Sequence, residues 1–128
     1  MEINMRYGSP LKLDTIIISE CSFKRSEEAL RSSRLDVNVK RNIEERSSDH
    51  YKITLELFIS DDAHQLELRV KCVACFTTGQ DNSALIEKNA IAIMFPYVRS
   101  YVSTMTSQPG MSPIVLPPMN IVAMFQEA

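Results

Sequence analysis

Residues 11–78 alternate apolar and polar side chains, and this period of two constrains the fold more than any other feature. Four runs show it, in the ranges 11–24, 34–45, 51–59 and 65–78. Successive side chains of a β-strand point to opposite faces, so each run predicts a strand with one face toward a core. Polar connections separate the runs, and the helical patterns all come after them. We therefore expect an α+β fold, with a four-stranded antiparallel sheet followed by C-terminal helices packed on one face.

The parity of the runs divides the apolar side chains between two faces. In the first run Leu13, Cys21 and Phe23 fall on the inner face, whereas Ile16 and Ile18 fall on the outer face. By the same count the outer face also carries Phe58, Val73 and Cys75. Scattered apolar residues are normal on a surface, but a cluster of them marks an interface. We favour an interface. In the second run Arg41 interrupts the inner row, which indicates that this strand extends past the core at that end.

The C-terminal third is poor in charge. Over residues 83–128 the charged side chains are Glu87, Lys88, Arg99 and Glu127. That is too few for a solvated helical layer, so one face must pack on the sheet. We expect the other face to pack on a second copy of the chain or to receive an apolar partner. Five of the seven methionines also lie here, and methionine suits surfaces that accept varied partners, although it equally fills irregular cores.

Apolar residues recur every three or four positions over 86–105, which predicts a helix with Asp81 or Ser83 as its N-cap. Pro96 lies inside this pattern and has no N–H to donate. We expect the helix to break just before Pro96 and the main helix to run from there to about Ser107. An extended connector then leads to a short last helix, which we expect to begin at Pro118.

The sequence offers little for chemistry. Cys72 and Cys75 form a C-x-x-C motif, the spacing of a redox pair or half a zinc site. They fall in the fourth strand, where residues three apart point to opposite faces, so the two sulfurs should not meet. The sequence has neither a G-x-S-x-G motif nor a glycine-rich phosphate loop. We expect no catalysis, no metal and no cofactor.

Composition sets further bounds. At 128 residues the chain is the size of one domain, 1–128. Its net charge of −2 gives no bulk attraction for nucleic acid, and no apolar run approaches the ~20 residues that span a membrane. Three cysteines, an odd number, and the lack of a basic-then-apolar leader favour the cytoplasm.

Two blocks near the C-terminus resemble the SecB family of export chaperones. The first reads Phe95-Pro96-Tyr97-x-Arg99 and the second Leu116-x-Pro118-x-Asn120 followed by Ala123-Met124-Phe125. The family patterns are F-P-Y-A-R and L-x-P-V-N-F-D-A-L-F, at the same spacing from first residue to last. Ile121 and Val122 stand where the family usually has Phe-Asp.

The resemblance implies a homotetramer, a dimer of dimers, that holds unfolded polypeptides in hydrophobic grooves without ATP. Members of the family pass clients to the translocation ATPase through acidic residues on the sheet and a C-terminal tail. Glu20 retains an acidic position, but Lys24 and Arg69 replace others, and the chain ends at Ala128 without such a tail. Relatives that serve as dedicated chaperones of antitoxins fit this chain at least as well. An adaptor that binds one folded partner remains the alternative.

The resemblance also suggests where the two contact surfaces lie. For the client site we expect a floor formed by Leu35, Val37 and Val39. Ile121 and Met124 would form its wall, and Phe76 and Phe125 its two aromatic anchors. For the oligomer interface we expect Ile16, Ile18, Tyr97, Tyr101 and Met105.

Overall fold

A computed structural model describes residues 4–6, 8, 10–30, 34–79 and 82–126. Its elements are β1 (Lys12–Arg25), β2 (Leu35–Ser47), β3 (His50–Asp61), β4 (Leu66–Thr77), α1 (Ser83–Met105) and α2 (Ile121–Gln126). The strands form one antiparallel sheet in the order β1-β4-β3-β2. The α+β fold predicted from the alternation is therefore confirmed. The first two strands in sequence are the two edges of the sheet.

The segment between β1 and β2 crosses one end of the sheet. The Ser26 backbone N–H donates to the Gln65 carbonyl at 2.7 Å, and the Gln65 side-chain amide donates to the Ala29 carbonyl at 3.2 Å. These bonds fix the start of the crossing beside the turn that joins β3 to β4. Residues 26–30 contain no helical turn, and residues 31–33 lie outside the described part.

The core lies between α1 and the two central strands. The inner residues of β3 and β4 are almost completely buried, with Leu55, Leu68 and Phe76 at 0% exposure. From α1, Ile86 and Met94 are equally buried. These side chains form one cluster. Burying an aliphatic or aromatic side chain of this size contributes roughly 1.5–3 kcal/mol, so this layer provides much of the stability.

Two irregularities in β1 correct the predicted faces. The pairing of β1 with β4 shifts between Leu13 and Thr15 and again between Ile18 and Glu20. Each extra residue reverses the parity of the strand beyond it. Ile16 and Ile18 are therefore half-buried on the inner face and pack against the core cluster. Ile17 is 57% exposed instead. The prediction that Ile16 and Ile18 point outward was wrong, because a period-two count cannot detect a bulge.

Helix α1 is continuous through Pro96, so the predicted break was also wrong. Pro96 lies on the exposed side of the helix, while the residues around it on the inner side remain packed on the sheet. Tertiary packing of that inner face outweighs the local cost of the missing hydrogen bond. The N-cap is Asn82, whose side chain accepts from the Leu85 N–H at 3.2 Å. Ser83, one of the two expected caps, is instead the first residue of the helix, and Asp81 lies outside the described residues.

The connector between the helices is fastened to α1 by side chains. The Arg99 Nε donates to the Leu116 carbonyl at 3.0 Å, and the Ser103 hydroxyl donates to the Ile114 carbonyl at 2.9 Å. The Thr106 hydroxyl oxygen accepts from the Ile114 N–H at 2.8 Å. Ile114 and Leu116 are buried beneath these bonds. The extended chain thus carries α2 to a defined place.

Candidate functional site

The inner face of β2 is the part of the sheet that α1 leaves open. Helix α1 makes its sheet contacts with β3 and β4, and β2 is an edge strand. Its inner row therefore becomes exposed toward the start of the strand, with Leu35 at 40% and Val37 at 42% exposure. Val39 and Ile43 are half-buried and pack against the core cluster. An apolar strip thus lies beside the core with no covering element over its first residues.

Helix α2 borders this strip. None of its six residues is buried, but three of them pack partly against the core cluster, namely Ile121, Met124 and Phe125. The Asn120 side chain accepts from the Ala123 N–H at 3.0 Å, and the helix begins at Ile121. The predicted start at Pro118 was wrong. Val122, on its other side, is 58% exposed. The structure therefore brings the predicted wall residues to the edge of the core, next to helix α1.

Arg41 joins the strip to both helices. Its Nη1 donates to the Glu87 Oε1 at 2.7 Å, and its guanidinium carbon lies 4.1 Å from the centre of the Phe125 ring. The Arg41 side chain is 28% exposed and that of Glu87 is 9% exposed. Arg41 therefore points inward, and the expectation that β2 extends past the core there was wrong. An arginine tolerates this position because a carboxylate on α1 pairs with it.

Phe76 does not reach the strip. It is fully buried and pairs across the sheet with Tyr51 and Leu13. Leu35 pairs with Asp61, at the opposite end of β3. Phe76 is thus part of the core at the end of the sheet opposite Leu35, and it does not line the exposed strip. Sequence parity gave the face of Phe76 correctly but not its position along the sheet.

A second half-covered surface lies on the other flank, at β1. Tyr97, Tyr101 and Met105 follow one another every four residues on α1, and Tyr97 is 52% exposed. A hydrogen bond with the Cys21 thiol raises the pKa of Tyr101 and connects this stripe to β1. With the corrected parity, Ile16 and Ile18 lie on the same side of the sheet. The five expected interface residues are thus all on the helix side.

The outer face of the sheet carries a row of charged side chains beside its apolar residues. One row across the four strands reads Lys40, Glu56, Lys71 and Glu20. These side chains line a shallow cavity of about 500 Å³ together with Phe58, over which the Arg69 guanidinium lies at 4.3 Å. Alternating signs on neighbouring strands stabilise a solvated face. The cavity is on the side opposite the helices, so we do not place the candidate site there.

The C-x-x-C motif lies as its parity predicted. Cys72 is fully buried on the inner face, and burial raises the pKa of its thiol to about 11. Cys75, three residues further along the continuous strand β4, is half-buried on the other face. Within the described residues, no three His, Cys, Asp or Glu side chains are grouped to bind a metal. No helix in the described part is long and apolar enough to cross a membrane.

Solved structures show the same fold. A SecB-like chaperone from Mycobacterium tuberculosis, in complex with a ChAD peptide from an antitoxin, matches with a TM-score of 0.72 over 86% of this chain and 90% of that chain, at 11% identity. A protein of unknown function from Streptococcus agalactiae matches with a TM-score of 0.53 over 84% and 97% of the two chains, at 10% identity.

Sequence comparisons add the family. An uncharacterized protein of Methanocaldococcus jannaschii is 47% identical over 38 residues, which cover 30% of this chain and 24% of that protein. This chain therefore spans only about a quarter of the length of that curated relative. The sequence model of the preprotein translocase subunit SecB family matches residues 8–128. Family and fold agree, and the chain belongs to the SecB family.

Proposed function

We propose that this protein is an ATP-independent holdase that binds non-native polypeptides in a groove between β2 and α2. Membership in the SecB family and the fold shared with a peptide-bound SecB-like chaperone support polypeptide binding. The groove floor is Leu35, Val37 and Val39, and its wall is Ile121, Met124 and Phe125. The proposed activity is binding without catalysis, and the proposed location of the protein is the cytoplasm.

The observation that carries this proposal is the exposure of the inner row of β2. Leu35 and Val37 are about 40% exposed on the face of the sheet that elsewhere forms the core. The fixed polar groups of this row are few: Asp61, which pairs with Leu35 and whose Oδ1 accepts from the Gln65 and Leu66 N–H groups, and Arg41 further along the strand. A surface of this kind recognises an extended apolar segment with little sequence preference, because side-chain identity is read mainly by fixed polar groups.

Two kinds of client suit the groove. One is a preprotein on its way to export, and the other is a dedicated client such as an antitoxin, the partner of the Mycobacterium tuberculosis neighbour. We favour the dedicated client, because the outer face carries Lys24 and Arg69 among alternating charges rather than a continuous acidic patch for the translocation ATPase.

Assembly is part of the proposal. The stripe of Tyr97, Tyr101 and Met105 and the row of Ile16 and Ile18 together form a half-covered apolar flank. We propose that this flank packs on another copy and that the active form is a homotetramer, a dimer of dimers. Light scattering at low micromolar concentration tests this. A stable monomer of 14.5 kDa would refute it.

The test of function is suppression of aggregation. A reduced, unfolding protein is allowed to aggregate with and without this chain at near-stoichiometric ratio, in the absence of ATP. A holdase delays the rise in turbidity. No delay at any ratio, together with tight binding of one folded protein, would favour instead an adaptor with a SecB-type fold.

A further inference from the structure

Helix α2 depends on other elements for its position. It has only six residues, none of them buried, and an isolated helix of that length is unstable in water. On its N-terminal side the connector is fastened to α1 as far as Leu116, through Arg99. Pro117 and Pro118 come next and have no N–H to donate. Beyond them, the position of α2 rests on its packing and on one cluster of polar contacts.

This cluster, which we call the clasp, is formed by Arg41, Glu87, Lys88 and Phe125. The Arg41 guanidinium carbon lies 4.1 Å from the centre of the Phe125 ring, and the Lys88 Nζ lies 5.7 Å from it. Both distances are within the range in which an aromatic ring attracts a cation. The ring at the end of α2 is therefore bound by one cation from β2 and one from α1.

The clasp divides into a permanent part and a separable part. Arg41 and Glu87 are paired at 2.7 Å and link β2 to α1 without α2. The links to α2 are the Phe125 ring and the Met124 carbonyl, which accepts from the Arg41 Nη2 at 3.5 Å, the outer limit of a hydrogen bond. When α2 moves away, no buried charge loses its partner. The costly contact stays and only weak ones break.

The separable contact falls in the middle of the β2 row. Arg41 lies between Val39 and Ile43, which are half-buried, whereas Leu35 and Val37 are exposed with α2 in place. At about 3.3 Å per residue, the exposed pair spans about 7 Å and the whole row from Leu35 to Ile43 about 26 Å. The closed groove therefore offers room for one or two client side chains on the floor.

We propose that α2 is a lid closed by the Arg41 clasp, and that its opening extends the floor to accept an extended apolar segment of about eight residues. Arg41 is thus a positioning residue that sets the balance between closed and open α2. This inference rests on the holdase function proposed above. It adds that the free protein spends most of its time closed, and that client association waits on an opening.

The test is Arg41→Lys, with Arg46→Lys as the matched control on the same strand. Lysine retains the charge opposite Glu87 but cannot stack a planar group on Phe125, whereas Arg46 pairs with Glu44 at the exposed surface. Hydrogen exchange of the amides of 121–126 should be about two- to fivefold faster in Arg41→Lys, the factor that one exposed cation–π contact represents. Exchange in β3, β4 and α1 should not change, nor should any segment in the control.

A second variant distinguishes the loss of the clasp from a general loosening of α2. Phe125→Leu removes the ring and keeps an apolar side chain, so it should speed exchange of 121–126 at least as much as Arg41→Lys, because the Lys88 contact is lost with the Arg41 contact. The double variant should then exchange no faster than Phe125→Leu alone, because the Arg41–Phe125 contact is already absent there. Additive effects, or no change in Arg41→Lys, would overturn the clasp whether or not the protein binds clients.

The client arm uses reduced and carboxymethylated lysozyme as a permanently unfolded probe. If α2 is a lid, Arg41→Lys should raise the association rate of the probe by about the factor seen in exchange, and Arg46→Lys should not. Faster exchange with an unchanged association rate would overturn the lid. If the parent protein does not bind the probe at all, the holdase proposal fails, and the exchange data still decide whether the clasp closes α2.

Discussion

Strands β3 and β2 carry the same alternating pattern, yet one forms the core and the other a half-open strip. In β3 the inner residues Ile53, Leu55 and Ile59 are fully buried. In β2 their hydrogen-bonded neighbours include Val37, which is 42% exposed. The difference comes from the position of each strand in the sheet, because the single helix α1 packs on the two central strands, β3 and β4.

The comparison shows how one sequence pattern serves stability and binding in the same sheet. A strand under α1 contributes its apolar row to the core, whereas the edge strand keeps part of its row available. The boundary between the two uses lies between Val37, which is exposed, and Val39, which packs against the core cluster. Arg41 lies inside the half-buried part of the row and is held there by Glu87 of α1.

The largest expected effect is a difference in stability between two leucine variants, one in the core and one on the strip. Leu55→Ala should destabilise the fold by about 2–5 kcal/mol, since it leaves a cavity in the packed core. Leu35→Ala, on the strip and 40% exposed, should cost less than about 1 kcal/mol. Urea unfolding of both variants at one protein concentration measures the difference. Equal losses would show that another element or copy covers the strip.

The next effect concerns binding. Ile121→Ser should weaken affinity for an unfolded client by more than about 1 kcal/mol if Ile121 is a central contact, and leave the oligomeric mass unchanged. Val122→Ser is the control, because Val122 lies on the same helix with 58% of its surface exposed. Titration with a fluorescent unfolded client and light scattering measure the two properties.

If Ile121→Ser keeps both its mass and its affinity, the groove lies elsewhere. The outer face then becomes the better candidate. The patch expected there from Ile16, Ile18 and Phe58 is not the one that exists, since both isoleucines lie on the inner face. The outer apolar residues to test are Phe58 and Ile17, which pairs with Val73.

The smallest expected effect is the pH dependence of stability that comes from Cys72, on the inner face of β4. The pKa of Cys72 is raised from 9.0 to about 11, so the folded chain retains a proton that the unfolded chain releases near pH 9. The contribution of Cys72 to stability should therefore be complete below pH 9 and decline as the pH rises from 9 toward 11. Comparing the alkaline stability of the parent with that of Cys72→Ala measures it.

Alkylation gives an independent check of the same assignment. In the native protein at pH 8, iodoacetamide should modify Cys75 faster than Cys72, because the thiolate is the reactive form and Cys72 is buried and protonated. Equal rates before unfolding would contradict the placement of Cys72 in the core.

Local pattern determined the elements of this protein. Period two gave four strands, the spacing of three and four gave a helix over 86–105, and the C-terminal blocks indicated the SecB family. Each depends on residues close in sequence, for which side-chain periodicity reports burial directly. The resemblance to SecB, rather than the periodicity, suggested Leu35 and Val37 as a floor and α2 as a wall, and that assignment stays a prediction.

Tertiary structure decided what depends on residues far apart. The bulges that turned Ile16 and Ile18 inward arise from pairing with β4, and the helix through Pro96 persists because its inner face packs on the sheet. The strand pairing placed Phe76 in the core, at the end of the sheet opposite Leu35. Most of all, Arg41 looked like the end of an apolar row until Glu87, 46 positions away in sequence, supplied its charge partner. An arginine faces inward only where the fold brings it a carboxylate, and periodicity within one strand carries no information about that.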